Sequence, residues 1–194
     1  MESLRVLVAD DEEVVRAVVT EMVQSLGHQV VAQARDGREA VALAEQTPLD
    51  VALLDIYMPQ LDGLQATEEI TRHQALPIII VTAHADESLI QRAAEAGAFS
   101  YLVKPITRER LVAAISTARA RFADLQELRS EVGDLQQALE ARKLIERAKG
   151  ILMRDMGVNE QEAFRWLKRA SSHHNERLTA IARRVVALDS RPRK

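Results

Sequence analysis

Cysteine is absent from all 194 residues. That excludes disulfide frameworks, thiol nucleophiles and thiolate metal sites, and it permits a reducing compartment. Long apolar runs are also missing. Pro77-Ile78-Ile79-Ile80-Val81 falls far short of the roughly 20 residues a membrane-spanning helix needs. The chain starts Met1-Glu2-Ser3, an acid where a signal peptide would carry a basic head, so the reading is a cytoplasmic protein with no membrane partner. With 47% hydrophobic and 28% charged residues, the composition is that of an ordinary globular chain and excludes disordered and fibrous classes. The length suits one medium domain with a small appendage and argues against a large multidomain enzyme.

The net charge of −3 conceals an asymmetry. Residues 1–120 carry a net −8, residues 121–140 a net −3 and residues 141–194 a net +8. An acidic front and a basic back indicate two modules, of which the second suits a polyanion.

In the front module, short β-branched runs at 4–9, 29–33, 51–54, 78–81 and 101–103 alternate with amphipathic stretches at 13–26, 37–46, 61–73, 86–96 and from 108 onward. Five strand-then-helix repeats predict an α/β fold: a doubly wound, five-stranded parallel sheet covered on both faces. The strands read as nearly continuous apolar runs, as strands buried on both sides should.

From Leu111 the pattern is helical and continues through Gly133. Leu111, Ile115, Ala118, Phe122 and Leu125 step by 4, 3, 4 and 3, while Leu128, Val132, Leu135 and Leu139 step by 4, 3 and 4. Both are coiled-coil seams, joined by a stammer where a step of 3 replaces one of 4. The stretch 111–118 is expected to pack on its own domain. Leu128, Val132, Leu135 and Leu139 are expected to form a parallel homodimer seam.

The tail reads as three short helices. Leu144, Ala148, Ile151 and Leu152 face one way before a Gly157 cap, and Asn159 with Glu162 caps a second helix bearing Ala163, Trp166, Leu167 and Ala170. Leu178, Ile181, Ala182, Val185 and Val186 mark the third. His173-His174 reads as a turn and Arg191-Pro192-Arg193-Lys194 as a frayed end. The predicted division is 1–120, a coiled-coil linker helix at 121–140, and a three-helix bundle at 141–194.

In a doubly wound sheet, ligand chemistry gathers at the carboxyl ends of the strands. Asp10 and Asp11 follow the first strand, Asp55 ends the third, Thr82 the fourth and Lys104 the fifth. Any one of these has a structural explanation, as a helix cap or a surface charge. Five suitable groups at four strand ends argue for a site. Three carboxylates in one place call for a cation, and oxygen ligands suit Mg²⁺. Lys104 and Thr82 would serve the oxygens of an incoming phosphoryl group.

Asp10-Asp11, Leu54-Asp55-Ile56-Tyr57-Met58-Pro59, Asp62-Gly63, Thr82-Ala83 and Lys104-Pro105 resemble the receiver domain of two-component response regulators over roughly the first 120 residues. The resemblance implies a flavodoxin-like fold and a phosphoacceptor, Asp55, that takes its phosphoryl group from a sensor histidine kinase or other phosphodonor. It implies that Asp11, Asp55 and the carbonyl of Tyr57 hold Mg²⁺, with Asp10 binding more indirectly, and that Thr82 and Tyr101 form a switch pair.

The tail segments Glu146-Arg147-Ala148-Lys149-Gly150-Ile151-Leu152-Met153, Ala163-Phe164 with Leu167 and Ala170, and Asn175 and Leu178 with Ala182 resemble the ANTAR output domain of transcription antitermination regulators. On a helix, Lys143, Arg147, Gly150 and Arg154 share a stripe opposite Leu144, Ala148 and Leu152, so a phosphate backbone could approach closely at Gly150. Lys149 lies on another flank and is retained as an RNA-binding residue because it carries the family signature.

The combined expectation is a phosphorylation-controlled dimer that binds RNA hairpin loops in a polymerase-associated transcript and acts as an antiterminator, with no separate substrate turnover. The alternative is a DNA-binding response regulator with a helix-turn-helix output. Regulation by a sequestering sensor protein is secondary given an intact pocket. A phosphatase ranks last, because its nucleophile would follow the first strand with a second acid two residues on, whereas Asp10 and Asp11 are adjacent.

Overall fold

The structure, a computed structural model, describes residues 3–83 and 86–189. The readings of Met1-Glu2 and of Arg191-Pro192-Arg193-Lys194 lie outside the described residues. The elements run β1 (Arg5–Ala9), α1 (Glu13–Ser25), β2 (Gln29–Ala34), α2 (Gly37–Gln46), β3 (Val51–Asp55), α3 (Gly63–His73), β4 (Ile78–Thr82), α4 (Glu87–Glu95), β5 (Ser100–Val103), α5 (Arg108–Met156), α6 (Glu160–His174) and α7 (Leu178–Asp189). The chain divides into two compact units between Gln126 and Glu127.

The first unit is a five-stranded parallel sheet in the order β2-β1-β3-β4-β5. Alternate residues of each strand face opposite sides. Leu7, Ala9, Ala52, Leu54, Ile78 and Ile80 join one core with residues of α2, α3 and α4. Val6, Val8, Val51, Leu53, Ile79 and Val81 join the other with α1 and the start of α5. β3 and β4 are buried throughout, as expected of central strands. The edge strand β2 departs from the continuous apolar reading: Gln29, Val31 and Gln33 are exposed, because a strand with a neighbour on one side only is not fully covered.

All three expected tail helices form, but only the second and third stand alone, as α6 and α7. The first is the end of α5, a single 49-residue helix. Nothing between Arg108 and Gly157 breaks it. Gly133 costs helix stability without ending the helix, and Gly157, at φ +66°, supplies the left-handed residue that does. Leu111, Ala114, Ile115 and Ala118 of α5 belong to the core of the first unit. Leu144, Ala148, Ile151 and Leu152 belong to the second core, with Ala163 and Leu167 of α6 and Ile181, Ala182 and Val185 of α7. The Asn159–Glu162 capping box forms as expected. His173 and His174 are the last two residues of α6, not a turn; the turn falls at Asn175, in the left-handed region.

Candidate functional site

The register of the central strands brings the expected polar groups to one edge. Ala9 pairs with Leu54, Asp55 with Val81 and Thr82 with Val103, so the residues that end or follow β1, β3, β4 and β5 are neighbours. Carboxylate oxygens of Asp10, Asp11 and Asp55 lie within 4.8 Å of one another. Asp10 and Asp55 are buried, at 2% and 5% exposure, while Asp11 is open to solvent.

Lys104 Nζ donates to Asp10 Oδ2 at 2.7 Å and stands 3.4 Å from Asp55 Oδ1. The second contact is an ion pair without hydrogen-bond alignment, so Asp55 Oδ1 is buried with no hydrogen bond. The other Asp10 oxygen accepts from the Glu12 N–H at 3.0 Å, and the Asp10 carbonyl accepts from Arg16 Nη1 at 2.6 Å. Arg16 has no signature in the sequence, because its role depends on α1 bringing it back over the end of β1.

The Asp62-Gly63 motif has a steric explanation. A Cβ at Gly63 would sit 1.9 Å from the Asp55 carbonyl oxygen, and the Gly63 N–H donates to the Ile56 carbonyl at 2.9 Å. Only glycine lets α3 start this close to the end of β3, which fixes the loop after Asp55.

Burial pushes the Asp55 carboxyl up to about 6; the Asp10 charge adds to the shift and Lys104 opposes it. Burial pulls Lys104 down, but its hydrogen bond to Asp10 and the negative charges of Asp55 and Asp10 outweigh this and hold it above the ordinary lysine value. Thr82 is fully buried. Its side chain hydrogen-bonds Tyr101, whose ring packs against the α2–α4 core. Burial, then Asp86 and Tyr57, push the Tyr101 hydroxyl up. The Tyr57 side chain is exposed.

One lysine leaves three acids short of neutralisation. A set of oxygen donors with one member open to solvent and one buried oxygen without a hydrogen bond fits a hard divalent cation.

In the second unit, Arg147 and Gly150 are exposed on α5. Lys149 departs from the expectation of an open RNA contact. It is 7% exposed, and its Nζ donates to both oxygens of Glu146, at 2.8 and 2.9 Å, and to Glu160 Oε1 at 2.6 Å. The signature lysine thus ties α5 to the start of α6, a role hidden because Glu160 lies past a turn. Arg154 is also engaged, with Asp155 and Asp189. Leu128, Val132, Leu135 and Leu139 are all at least half exposed. Among the described residues, no helix is long and apolar enough to cross a membrane.

Residues 6–116 match the family model of the response regulator receiver domain, and residues 133–186 match that of the ANTAR domain. The chain is 40% identical over 189 residues to the transcriptional regulatory protein PdtaR of Mycobacterium tuberculosis, covering 97% of this chain and 92% of that one. Among solved structures it is similar to the signal receiver domain of a modulated diguanylate cyclase from Desulfovibrio desulfuricans, at 31% identity and TM-score 0.59 over 63% of this chain and 98% of that one. It is similar also to the receiver domain of a sensor histidine kinase from Pseudomonas aeruginosa with magnesium coordinated in the active site cleft, at 33% identity and TM-score 0.56, covering 61% of this chain and 99% of that one.

Proposed function

The chain belongs to the response regulator receiver family and carries an ANTAR domain, and from that premise we propose that it is a phosphorylation-controlled antiterminator that binds RNA hairpin loops as a dimer. The observation that carries the reading is a pocket of Asp10, Asp11, Asp55, Thr82 and Lys104 in the same chain as a basic ANTAR unit.

In this reading an Asp55 carboxylate oxygen attacks the phosphorus of a kinase phosphohistidine or a small donor such as acetyl phosphate. The new O–P bond forms as the bond to the donor nitrogen or oxygen breaks, and the electron pair leaves with the donor. Asp10, Asp11, Asp55 and the Tyr57 carbonyl would hold Mg²⁺, which neutralises the acids and the transferring phosphoryl oxygens. Lys104, already within reach of Asp55, donates to those oxygens. The chain's own chemistry is limited to gaining and losing this group, without turnover of a separate substrate.

The phosphoryl group brings about −1.5 to −2 charges to the edge where Thr82 sits. Donation from the Thr82 hydroxyl to it would compete with the Thr82–Tyr101 hydrogen bond and free the ring to move. The consequence is read out through the seam of Leu128, Val132, Leu135 and Leu139. Its exposure in the single chain supports burial against a second copy. Two ANTAR units held by one seam would engage neighbouring loops, the second at raised effective concentration. Gly150 supports a phosphate-facing surface. It weakens a helix, and a Cβ there would meet nothing within 4 Å, so packing within the fold does not require it. The place of action is the cytoplasm, on a nascent transcript.

Charge alone does not choose RNA, since phosphate contacts serve any nucleic acid. Choice comes from unpaired bases, which a loop exposes and a duplex hides. The test is a gel shift at fixed salt with tandem six-nucleotide-loop hairpins and with duplex DNA, each with and without acetyl phosphate. Preferential binding of the hairpins is expected. Equal or tighter binding of duplex DNA would favour a DNA-binding regulator.

A further inference from the structure

α6 carries two faces. Ala163 and Leu167 are buried in the core of the second unit, while Glu162, Arg165, Trp166, Arg169 and His173 fall within a third of a turn of one another on the solvent side. Trp166 is 41% exposed, and its indole has no hydrogen-bond or ring partner among the described residues. It shares an open concavity with Arg169 and His173. Both glutamates at the start of α6 are occupied, Glu160 by Lys149 and Glu162 by the capping box, and from Ala163 to His174 the helix has no acidic side chain. Arg165 and Arg169 are exposed and have no ion-pair partner among the described residues.

A lone exposed aromatic ring on a protein surface needs no explanation. This one is flanked by unpaired cations. A second copy docking on the same face would set like charges against like, because a two-fold contact brings a patch to its own equivalent. A polyanion with a flat, apolar base complements both features at once.

We infer that the Trp166 indole is a stacking platform for an unpaired base of the RNA loop, with Arg169 and Arg165 holding the flanking phosphates. The inference rests on the RNA-binding reading above and adds to it the surface that reads the loop. α6 would then supply the base contact, and the Arg147–Gly150 stripe of α5 would supply phosphate contacts only. A ring can stack only on a base already out of the helix, so this surface is also what rejects a duplex.

Trp166 is the only tryptophan in the chain, so its emission reports on this face alone. The experiment uses the full chain and RNA enriched from a pool of tandem hairpins with randomised six-nucleotide loops. Titration is followed by tryptophan emission and, in parallel, by gel shift; the same stems with the loops removed serve as control. The expected result is quenching that saturates with the affinity seen by gel shift and is absent with the loop-free stems. Trp166→Ala should weaken binding by about ten- to a hundred-fold, the range found for loss of one stacked base, and Trp166→Phe should restore most of it. Circular dichroism of the variants separates loss of the platform from loss of fold. Tight loop binding with unchanged emission, or a Trp166→Ala chain that is folded and binds as wild type, overturns the assignment and leaves the RNA reading standing. A blue shift of the emission with rising protein concentration and no RNA would place the indole between copies and overturn it equally. Failure of any RNA to enrich overturns the RNA reading itself.

Discussion

Lys149 Nζ donates to Glu160 Oε1 at 2.6 Å, joining the last turns of α5 to the first turn of α6. The side chain that carries the family signature is spent inside the fold. Its bonds to Glu146 and Glu160 hold it above the ordinary lysine value and pull Glu160 below the ordinary carboxylate value. Lys149→Ala removes the ammonium and the buried stem together, and should lower the unfolding midpoint of the second unit by several degrees. Lys149→Met keeps the stem and should recover part of that loss. Thermal unfolding followed by circular dichroism checks both. RNA affinity should fall in step with stability across the two variants, whereas a direct phosphate contact would lower affinity alone.

Asp55 makes stability depend on pH in a stated direction. Its carboxyl is held at about 6, above its ordinary value of 3.8. Between these values the folded chain keeps a proton that the unfolded chain has released. The contribution of this group to stability therefore falls as pH rises from about 4 to about 6 and is flat above. Asp55→Asn has no such charge to bury. Without divalent cation it should gain on wild type across that window, by about 2–3 kcal/mol at pH 7. Urea unfolding in chelator at a series of pH values measures the difference. Mg²⁺ needs the ionised carboxylate, so its affinity for wild type should decline below about pH 6.

Val132 is half exposed in the single chain and central in the proposed seam. Val132→Glu would bury an unpaired ion in a two-chain interface. Sedimentation of the acetyl-phosphate-treated protein should give a dimer for wild type and a monomer for the variant, with dimer affinity reduced about 100-fold or more. An unchanged mass would place the seam elsewhere.

Arg147 and Arg154 share a stripe but differ in their surroundings. Arg147 is exposed and has no ion pair among the described residues, whereas Arg154 is held by Asp155 and Asp189. Arg147→Ala should reduce the slope of RNA affinity against salt by about one, as for one lost phosphate contact. Arg154→Ala should change that slope less, because its charge is already partly neutralised.

The pocket was legible because its members sit at strand ends, where short apolar runs followed by Asp10, Asp55, Thr82 and Lys104 mark both the fold and the site. The alternation of strands with helices and the Asn159–Glu162 spacing were legible for the same reason, as local patterns with a local cause. Contacts between residues far apart in sequence were not. Arg154 meets Asp189 thirty-five residues on, and Lys149 finds Glu160 past the Gly157 turn. The first tail helix starts far upstream of its expected place, because amphipathic spacing marks faces, and only a breaker marks an end. Between Arg108 and Gly157 there is none.

In the proposed mechanism the state of Asp55 sets the affinity of the ANTAR unit for RNA. The most direct measurement is the dissociation constant of the full chain for tandem hairpins, in Mg²⁺ at fixed salt, with and without acetyl phosphate, for wild type and Asp55→Asn. Wild type should bind more tightly once phosphorylated, and Asp55→Asn should bind weakly in both conditions. Equal affinities for wild type with and without the donor, or a gain shared by Asp55→Asn, would exclude control of RNA binding through Asp55.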